Sequence, residues 1–142
     1  MALSVTEQQL KLIRAHAEGE YPAECCGVLL GIRNGNTREV VELTACSNAA
    51  MTPRTRYEIG VVDLVRVQRT GRERGLEIVG FYHSHPEHEA MWSERDLRDA
   101  EWPGCSFLIV EVRTGVVRAE RSFEMVSEDG VKRFVEETMT VK

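Results

Sequence analysis

The spacing of apolar residues predicts a helix near the start of the chain and a hairpin after it. Thr6 and Gln9 are spaced as in a capping box, and apolar side chains then recur every three or four residues as far as Gly19, which predicts a first helix. The continuous apolar run 26–32 and the segment 37–45 lie on either side of an Asn-Gly pair, which is a strong turn signal. We therefore expect a hairpin whose first strand is largely buried.

The rest of the pattern alternates between helical and strand-like segments. Residues 57–75 pass from a short strand into a helix, and four residues are predicted to share one face of it: Val61, Leu64, Val65 and Gln68. The later segments are a strand at 76–85, a helix from Ser93 to Glu101, strands at 105–112 and 115–126 across Thr114-Gly115, and a last hairpin at Asp129-Gly130. This order of elements predicts the α/β (α+β) fold class, in which helices pack on a mixed sheet.

Length and charge narrow the class of protein. The 142 residues suffice for one compact core, so we expect residues 1–142 to form a single domain. The net charge is -5 and Lys and Arg are scattered, which argues against a nucleic-acid partner. We find neither a signal peptide nor an apolar run of about 20 residues, and we expect no membrane partner and a cytoplasmic location. The four cysteines form no C-x-x-C pattern, and we expect them to be reduced and mostly buried.

Two alternating histidines mark the end of the predicted strand 76–85. Side chains at positions i and i+2 of a strand point to the same side with Cα atoms about 6.5 Å apart, so His83 and His85 can reach one ion. An ordinary surface strand explains the same pattern, and a metal site needs a third ligand. Asp96, one turn into the next helix, is the candidate. Its spacing from Ser93 also fits a capping box, in which the carboxylate stabilises the helix N-terminus.

A hydrolase built on these ligands needs a general base. Glu24 lies in the segment YPAECCGVLLG, just before a predicted core strand, where a carboxylate has little structural purpose. The alternative interpretation is a solvated glutamate on the turn between helix and strand. Catalytic zinc sites keep one position open for water, and a carboxylate beside that water can move its proton.

Taken together, these residues resemble the motif of the JAMM/MPN+ (Mov34/MPN/PAD-1) zinc metalloprotease family. Glu24 precedes the CGVLLG strand, HSHP follows at 83–86, and Ser93-x-x-Asp96 completes the pattern in type, order and spacing. The segments YPAECCG and AEWPGCSFLIVEV are similar to segments of the small single-domain bacterial members, so the resemblance covers nearly the whole chain. It implies the deaminase-like JAMM/MPN fold, a mixed sheet flanked by helices.

The resemblance also implies a cofactor and a role for each motif residue. Zn2+ would be held by His83, His85 and Asp96 together with a water. Glu24 would act first as general base and then as general acid, while the Ser93 hydroxyl would stabilise the oxyanion beside the metal.

The substrate that the resemblance implies is the C-terminal tail of a ubiquitin-like sulfur-carrier protein, which small bacterial members trim. The chain would then be a zinc-dependent peptidase that hydrolyses a peptide or isopeptide bond. An extended tail could add to a sheet edge near the site. Arg54 and Arg56 are candidate contacts for the tail or its carboxylate, although solvated charge explains both. The sequence leaves a homodimer open.

Two other classes of protein stay open on the sequence. A cysteine peptidase would use a thiol of the pair Cys25–Cys26 with His83 and Asp96, although a nucleophilic thiol usually lies at a helix N-terminus and these precede a strand. A non-catalytic, zinc-stabilised MPN interaction module would need a fourth protein ligand, and three residues are candidates: Cys46, His88 and Cys105. Glu24 argues against that module, because a closed structural site needs no free base.

Overall fold

Seven strands and three helices make up the protein, and a computed structural model describes it from Met1 to Lys142. The helices are α1 (Glu7–Glu20), α2 (Val61–Glu73) and α3 (Glu94–Asp99). The strands are β1 (Ala2–Val5), β2 (Cys26–Asn34), β3 (Thr37–Cys46), β4 (Glu77–Pro86), β5 (Ser106–Arg113), β6 (Val116–Glu128) and β7 (Val131–Val141). None of the helices has the length and apolar character that crossing a membrane requires.

The strands form one mixed sheet that closes on itself in the order β1-β3-β2-β4-β5-β6-β7. β4 and β5 are parallel, and β1 runs parallel to both β3 and β7. The other neighbouring strands are antiparallel and include the three predicted hairpins. The predicted mixed sheet flanked by helices is therefore confirmed. The closing strand β1 is missing from the prediction, because its four residues are too few to show an alternation.

The buried face of α2 agrees with the prediction at Leu64, which is partly buried against the core, and differs from it elsewhere. Val61 and Val65 are 76% and 48% exposed, whereas Val67 is buried. Gly71 lies so close to β2 that an added Cβ would be 2.9 Å from a Leu30 methyl group. Because the glycine lets the helix approach the sheet at that point, the helix packs through the stripe that contains Val67 and Gly71. The predicted strand before α2 is only an isolated bridge between Asn48 and Ile59.

Apolar side chains cover both faces of the sheet and decide how β4 presents its last residues. Tyr82 packs in the cluster beneath α1, and a Cβ on Gly27 would lie 2.2 Å from its ring. Phe81 packs in the second cluster, which includes Val67 of α2. Since alternate residues of a strand face opposite sides, His83 shares the face of Phe81 rather than that of Tyr82.

Candidate metal centre and active site

The end of β4 places two buried histidine rings side by side. His83 and His85 are 1% and 6% exposed. The intervening Ser84 points to the other face, where its hydroxyl accepts a hydrogen bond from the Cys25 N–H at 2.8 Å. The Nε2 atoms of the two histidines lie 3.1 Å apart. The rings therefore converge on one point, as their spacing in the sequence predicts.

The first turn of α3 brings a carboxylate to the same point. Asp96 Oδ2 lies 3.0 Å from His85 Nε2 and 3.3 Å from His83 Nε2. The same oxygen accepts the Ser93 N–H at 2.9 Å, and the Ser93 hydroxyl oxygen accepts the Asp96 N–H at 3.0 Å. The interpretations of Asp96 as a metal ligand and as part of a capping box are compatible, because the capping box fixes the same carboxylate that faces the histidines.

The distances within this cluster fit a tetrahedral metal site. With bonds of about 2.0 to 2.1 Å, ligand atoms at the corners of a tetrahedron lie about 3.3 Å apart. The three separations among His83, His85 and Asp96 are 3.0, 3.1 and 3.3 Å. Two imidazole nitrogens and one carboxylate oxygen are also a donor set that zinc takes in catalytic sites. The residues present therefore fit such an ion and leave one corner for another ligand.

The protonation equilibria of Asp96 and His83 favour the form that donates to a metal, whereas that of His85 favours its charged form in the metal-free protein. Burial would raise the pKa of Asp96, but the charges and hydrogen bonds of the two histidines outweigh it and hold this pKa below its usual range. Burial lowers the pKa of His83. Burial also opposes charge on His85, yet its hydrogen bond to Asp96 and the charge of that carboxylate raise the pKa of His85. An ionised carboxylate beside a neutral imidazole is what metal binding requires.

A second carboxylate, from the segment before β2, points into the cluster. Glu24 is 6% exposed, and its ligand atom lies within 4.8 Å of those of His83 and His85. Its Oε1 is buried and has no hydrogen-bond partner. Burial raises the pKa of Glu24 to about 8, against the opposing charge of His85. The solvated turn residue is therefore wrong as an interpretation, because Glu24 is a buried and unpaired carboxyl group.

Three residues that the sequence prediction omits also contact the cluster. His85 Nδ1 lies 3.0 Å from the Glu89 carbonyl oxygen. Tyr57 stacks on the His83 ring, with centroids 4.3 Å apart and an interplanar angle of 20°. Asn48 donates from Nδ2 to the Glu24 carbonyl oxygen at 2.9 Å. The Glu89 contact is local, four residues from His85, but no spacing or periodicity marks the Tyr57 and Asn48 contacts, since both join segments that only the fold brings together.

A cavity of about 470 Å³ opens beside the cluster and is lined by Glu24, His85 and Ser93, among others. Neither predicted arginine lines it, although Thr55 between them does. Arg56 instead pairs with Asp99 at 3.4 Å and lines a separate cavity of about 330 Å³. The structure therefore brings together five of the predicted site residues, Glu24, His83, His85, Ser93 and Asp96, and leaves Arg54 and Arg56 outside their cavity.

The thiols near the site are buried and hard to ionise. Burial raises the pKa of Cys25 to about 11 and also raises the pKa of Cys26. Cys25 packs in the cluster beneath α1, on the face away from the histidines. Cys105 Sγ lies near the Ile78 carbonyl oxygen, at the opposite end of β4. A nucleophilic thiolate and a fourth ligand from Cys105 are both disfavoured by this arrangement.

The fold and the site define a class of α+β proteins in which a strand end and a helix N-terminus present a histidine and carboxylate cluster suited to a metal. The chain belongs to one family of this class, the prokaryotic homologs of the JAB domain, which match residues 6–126. The resemblance to the JAMM/MPN+ family is thereby confirmed.

Several proteins with recorded activities are similar to the chain. The desampylase of Haloferax volcanii is 38% identical over 109 residues, which are 77% of each protein. The probable TtuB-protein conjugate cleaving protease of Thermus thermophilus is 31% identical over 102 residues, 72% of this chain and 66% of that protein. The CysO-cysteine peptidase of Mycobacterium tuberculosis is 30% identical over 112 residues, 79% of this chain and 75% of that protein.

Two solved structures are similar to the whole chain. A protein from Desulfitobacterium hafniense is 29% identical and matches with a TM-score of 0.84, covering 100% of this chain and 93% of that one. A protein from Salinibacter ruber is 33% identical and matches with a TM-score of 0.74, covering 100% and 92%. Both of these proteins therefore share the fold of the chain.

Proposed function

We propose that the chain is a zinc-dependent peptidase that hydrolyses a peptide or isopeptide bond at the C-terminal tail of a ubiquitin-like sulfur-carrier protein. One observation carries the chemistry: His83, His85 and Asp96 converge at 3.0 to 3.3 Å beside the buried carboxyl group of Glu24. The residues 1–142 would act as one domain in the cytoplasm.

The metal would be held by His83, His85 and Asp96. When bound, zinc would polarise the carbonyl group of the substrate and lower the pKa of a water. Asp96 is oriented for this by its capping box, and the His85 ring by its Glu89 contact. Contacts of this kind fix the ring orientation and raise the basicity of a ligand.

Glu24 would move the proton. It takes one proton from the attacking water, so that a C–O bond can form as the C–N bond weakens, and it then gives that proton to the departing amine. Burial favours this role, because a carboxyl group whose pKa lies near neutrality can both accept and donate.

Ser93 would stabilise the oxyanion. Its oxygen accepts the Asp96 N–H, so the hydroxyl proton is directed elsewhere, and Ser93 lines the cavity that contains Glu24. A hydroxyl aimed at developing negative charge contributes roughly 100-fold or more to the rate. One serine can therefore serve as cap and as oxyanion donor, because its lone pair and its proton point in different directions.

The substrate class is supported by the relatives. Their names record a desampylase, a TtuB-protein conjugate cleaving protease and a CysO-cysteine peptidase. A tail could pair with β3, whose only partner besides β2 is β1, and β1 covers no more than Thr37–Glu39. Gln9 Nε2 donates to the carbonyl oxygens of Val40 and Val41, and beyond them this edge runs to Cys46. Cys46 pairs with Cys26 of β2, which in turn pairs with His83 of β4. Arg54 and Arg56 stay predictions as tail contacts.

The test uses the metal-loaded protein and a ubiquitin-like carrier extended beyond its terminal Gly-Gly. Mass spectrometry should show removal of the extension, loss of cleavage with a chelator and recovery with Zn2+. Alkylation of accessible thiols should leave cleavage intact, because water is the nucleophile. Cleavage that survives the chelator but is lost in Cys25→Ser would instead support the cysteine-peptidase class.

A further inference from the structure

The loop between β3 and α2, residues 48–59, is organised by one side chain. Asn48 Nδ2 donates to the carbonyl oxygens of Glu24 and Arg56, each at 2.9 Å. Asn48 Oδ1 accepts the N–H groups of Ala50 at 3.0 Å and Glu58 at 3.1 Å. A single amide therefore joins the backbone that carries Glu24 to the backbone of the 48–59 loop.

Tyr57 lies between the two loop residues that Asn48 holds. Its ring stacks on His83, with centroids 4.3 Å apart and an interplanar angle of 20°. Because Arg56 O and Glu58 N are both bonded to the Asn48 amide, the peptide units on either side of Tyr57 are fixed. The position of this ring therefore depends on Asn48.

The two histidines differ in how their second nitrogen is held. His85 Nδ1 lies 3.0 Å from the Glu89 carbonyl oxygen, whereas His83 Nδ1 is buried and has no hydrogen-bond partner. Metal-binding histidines usually have such a hydrogen bond, and it sets the ring orientation. His83 lacks this hydrogen bond, and the stacked ring of Tyr57 is instead the contact that restricts rotation of its imidazole ring.

We propose that Asn48 is a positioning residue of the peptidase reaction, which aligns Glu24 through its backbone and His83 through Tyr57. The inference rests on the proposed function and extends it to residues outside the ligand and proton-transfer set. The Glu24 N–H also donates to the Pro53 carbonyl oxygen at 2.7 Å, so the same loop holds Glu24 at both of its backbone groups. The side-chain amide of Asn48 thus positions both Glu24, the general base, and His83, a metal ligand.

The first experiment compares Asn48→Asp with Asn34→Asp, which makes the same change at an exposed residue of the distant β2–β3 hairpin. Asn48→Asp keeps the acceptor oxygen but sets a carboxylate oxygen against two carbonyl oxygens. The expected result is a loss of roughly 10-fold to 100-fold in zinc affinity and in kcat, with KM changed less than threefold or so. Zinc affinity is measured by competition with a chelator, and the absorption bands of the cobalt-substituted protein report ligand geometry.

The second experiment replaces the stacked ring and does not depend on how well the Asn48 variant folds. Tyr57→Leu should weaken zinc binding roughly 10-fold and shift the cobalt bands, because His83 loses its stacking partner. Tyr57→Phe keeps the ring and should restore wild-type affinity and bands. Melting temperatures of the metal-free proteins show whether either substitution acts through stability alone.

The proposal is overturned if Asn48→Asp binds zinc and turns over like Asn34→Asp, or if Tyr57→Leu leaves both affinity and cobalt bands unchanged. These readouts separate the inference from the proposed function. If the wild type binds zinc but cleaves no carrier, the proposed function fails while the zinc and cobalt measurements still decide the role of Asn48 and Tyr57.

Discussion

At the scale of single residues, Glu24 has the environment that most clearly separates catalysis from structure. Its carboxyl group is buried, unpaired and directed at two histidine rings. A buried carboxyl group without a partner costs stability, so the fold gains nothing from it unless the reaction uses it.

We expect Glu24→Gln to lower kcat at least roughly 100-fold, because the amide cannot accept the proton that general base catalysis moves. Zinc content should change little, since Glu24 would contact the water rather than the metal. Cleavage rate and zinc content are measured on one preparation, with the exposed Glu94→Gln on α3 as the control for lost charge. Loss of zinc in Glu24→Gln would make Glu24 a ligand, and wild-type cleavage would refute its role as the base.

The stability of the metal-free protein should depend on pH through Glu24. Burial raises its pKa from 4.5 to about 8, so the folded state holds a proton that the unfolded state has lost between these values. The contribution of Glu24 to stability is therefore complete below about pH 4.5 and declines as pH rises toward 8. We expect chelator-treated Glu24→Gln and wild type to melt alike at pH 4.5, and the variant to melt higher at pH 8. A pH-independent difference between their melting temperatures would contradict this.

At the scale of elements, the N-terminal cap of α3 orients the carboxylate of its first turn, and Lys132 of β7 donates to the carbonyl oxygens of Arg98 and Ala100 at its other end. None of its residues is buried, yet it carries Asp96 into the cluster. α1 begins with the same kind of capping box, in which Thr6 accepts the Gln9 N–H at 3.0 Å, but its inner face packs beneath the sheet. The two helix starts form a matched pair for separating the structural and chemical roles of a cap.

We expect Ser93→Ala and Thr6→Ala each to lower stability by about 1 kcal/mol, the usual cost of removing a cap. Only Ser93→Ala should also lower kcat, by roughly 100-fold, because it removes the oxyanion donor as well. Melting curves and cleavage rates of both variants are the measurements. Equal cleavage by the two variants would show that Ser93 is a cap and nothing more.

At the scale of the whole molecule, a metal at the cluster would join a core strand to a surface helix. His83 and His85 end β4, which is paired on both sides, whereas Asp96 belongs to a short helix at the surface. A metal that binds only the folded state would therefore add to global stability by mass action, by about 4 kcal/mol at 1,000 times its dissociation constant.

We expect zinc to raise the melting temperature of the wild type and to have no such effect on His83→Ala/His85→Ala. His88→Ala should keep the zinc-dependent shift, because His88 lines the cavity but is not part of the converging cluster. Thermal melts with and without zinc test both variants. Loss of the shift in His88→Ala would make that residue a fourth ligand and revive the non-catalytic module.

The sequence by itself determined the features that depend on neighbouring residues. The cap of α1, the three hairpin turns and the convergence of His83 and His85 all follow from local spacing, and each is found as predicted. Asp96 is close enough in the chain for one loop to return it to the strand end. Glu24 is a candidate because it is a carboxylate just before a predicted core strand, but its place beside the histidines rests on resemblance to a family motif, because no local pattern connects it to β4.

Only the tertiary structure decided the features that join distant segments. The buried face of α2 is set by the close approach of Gly71 to β2, and the sheet is closed by β1, which no alternation marks. The stack of Tyr57 on His83 and the bonds of Asn48 likewise exist only once β3, β4 and the 48–59 loop are packed together. The physical reason is that spacing along a chain records contacts within an element, whereas these contacts depend on how separate elements pack in three dimensions.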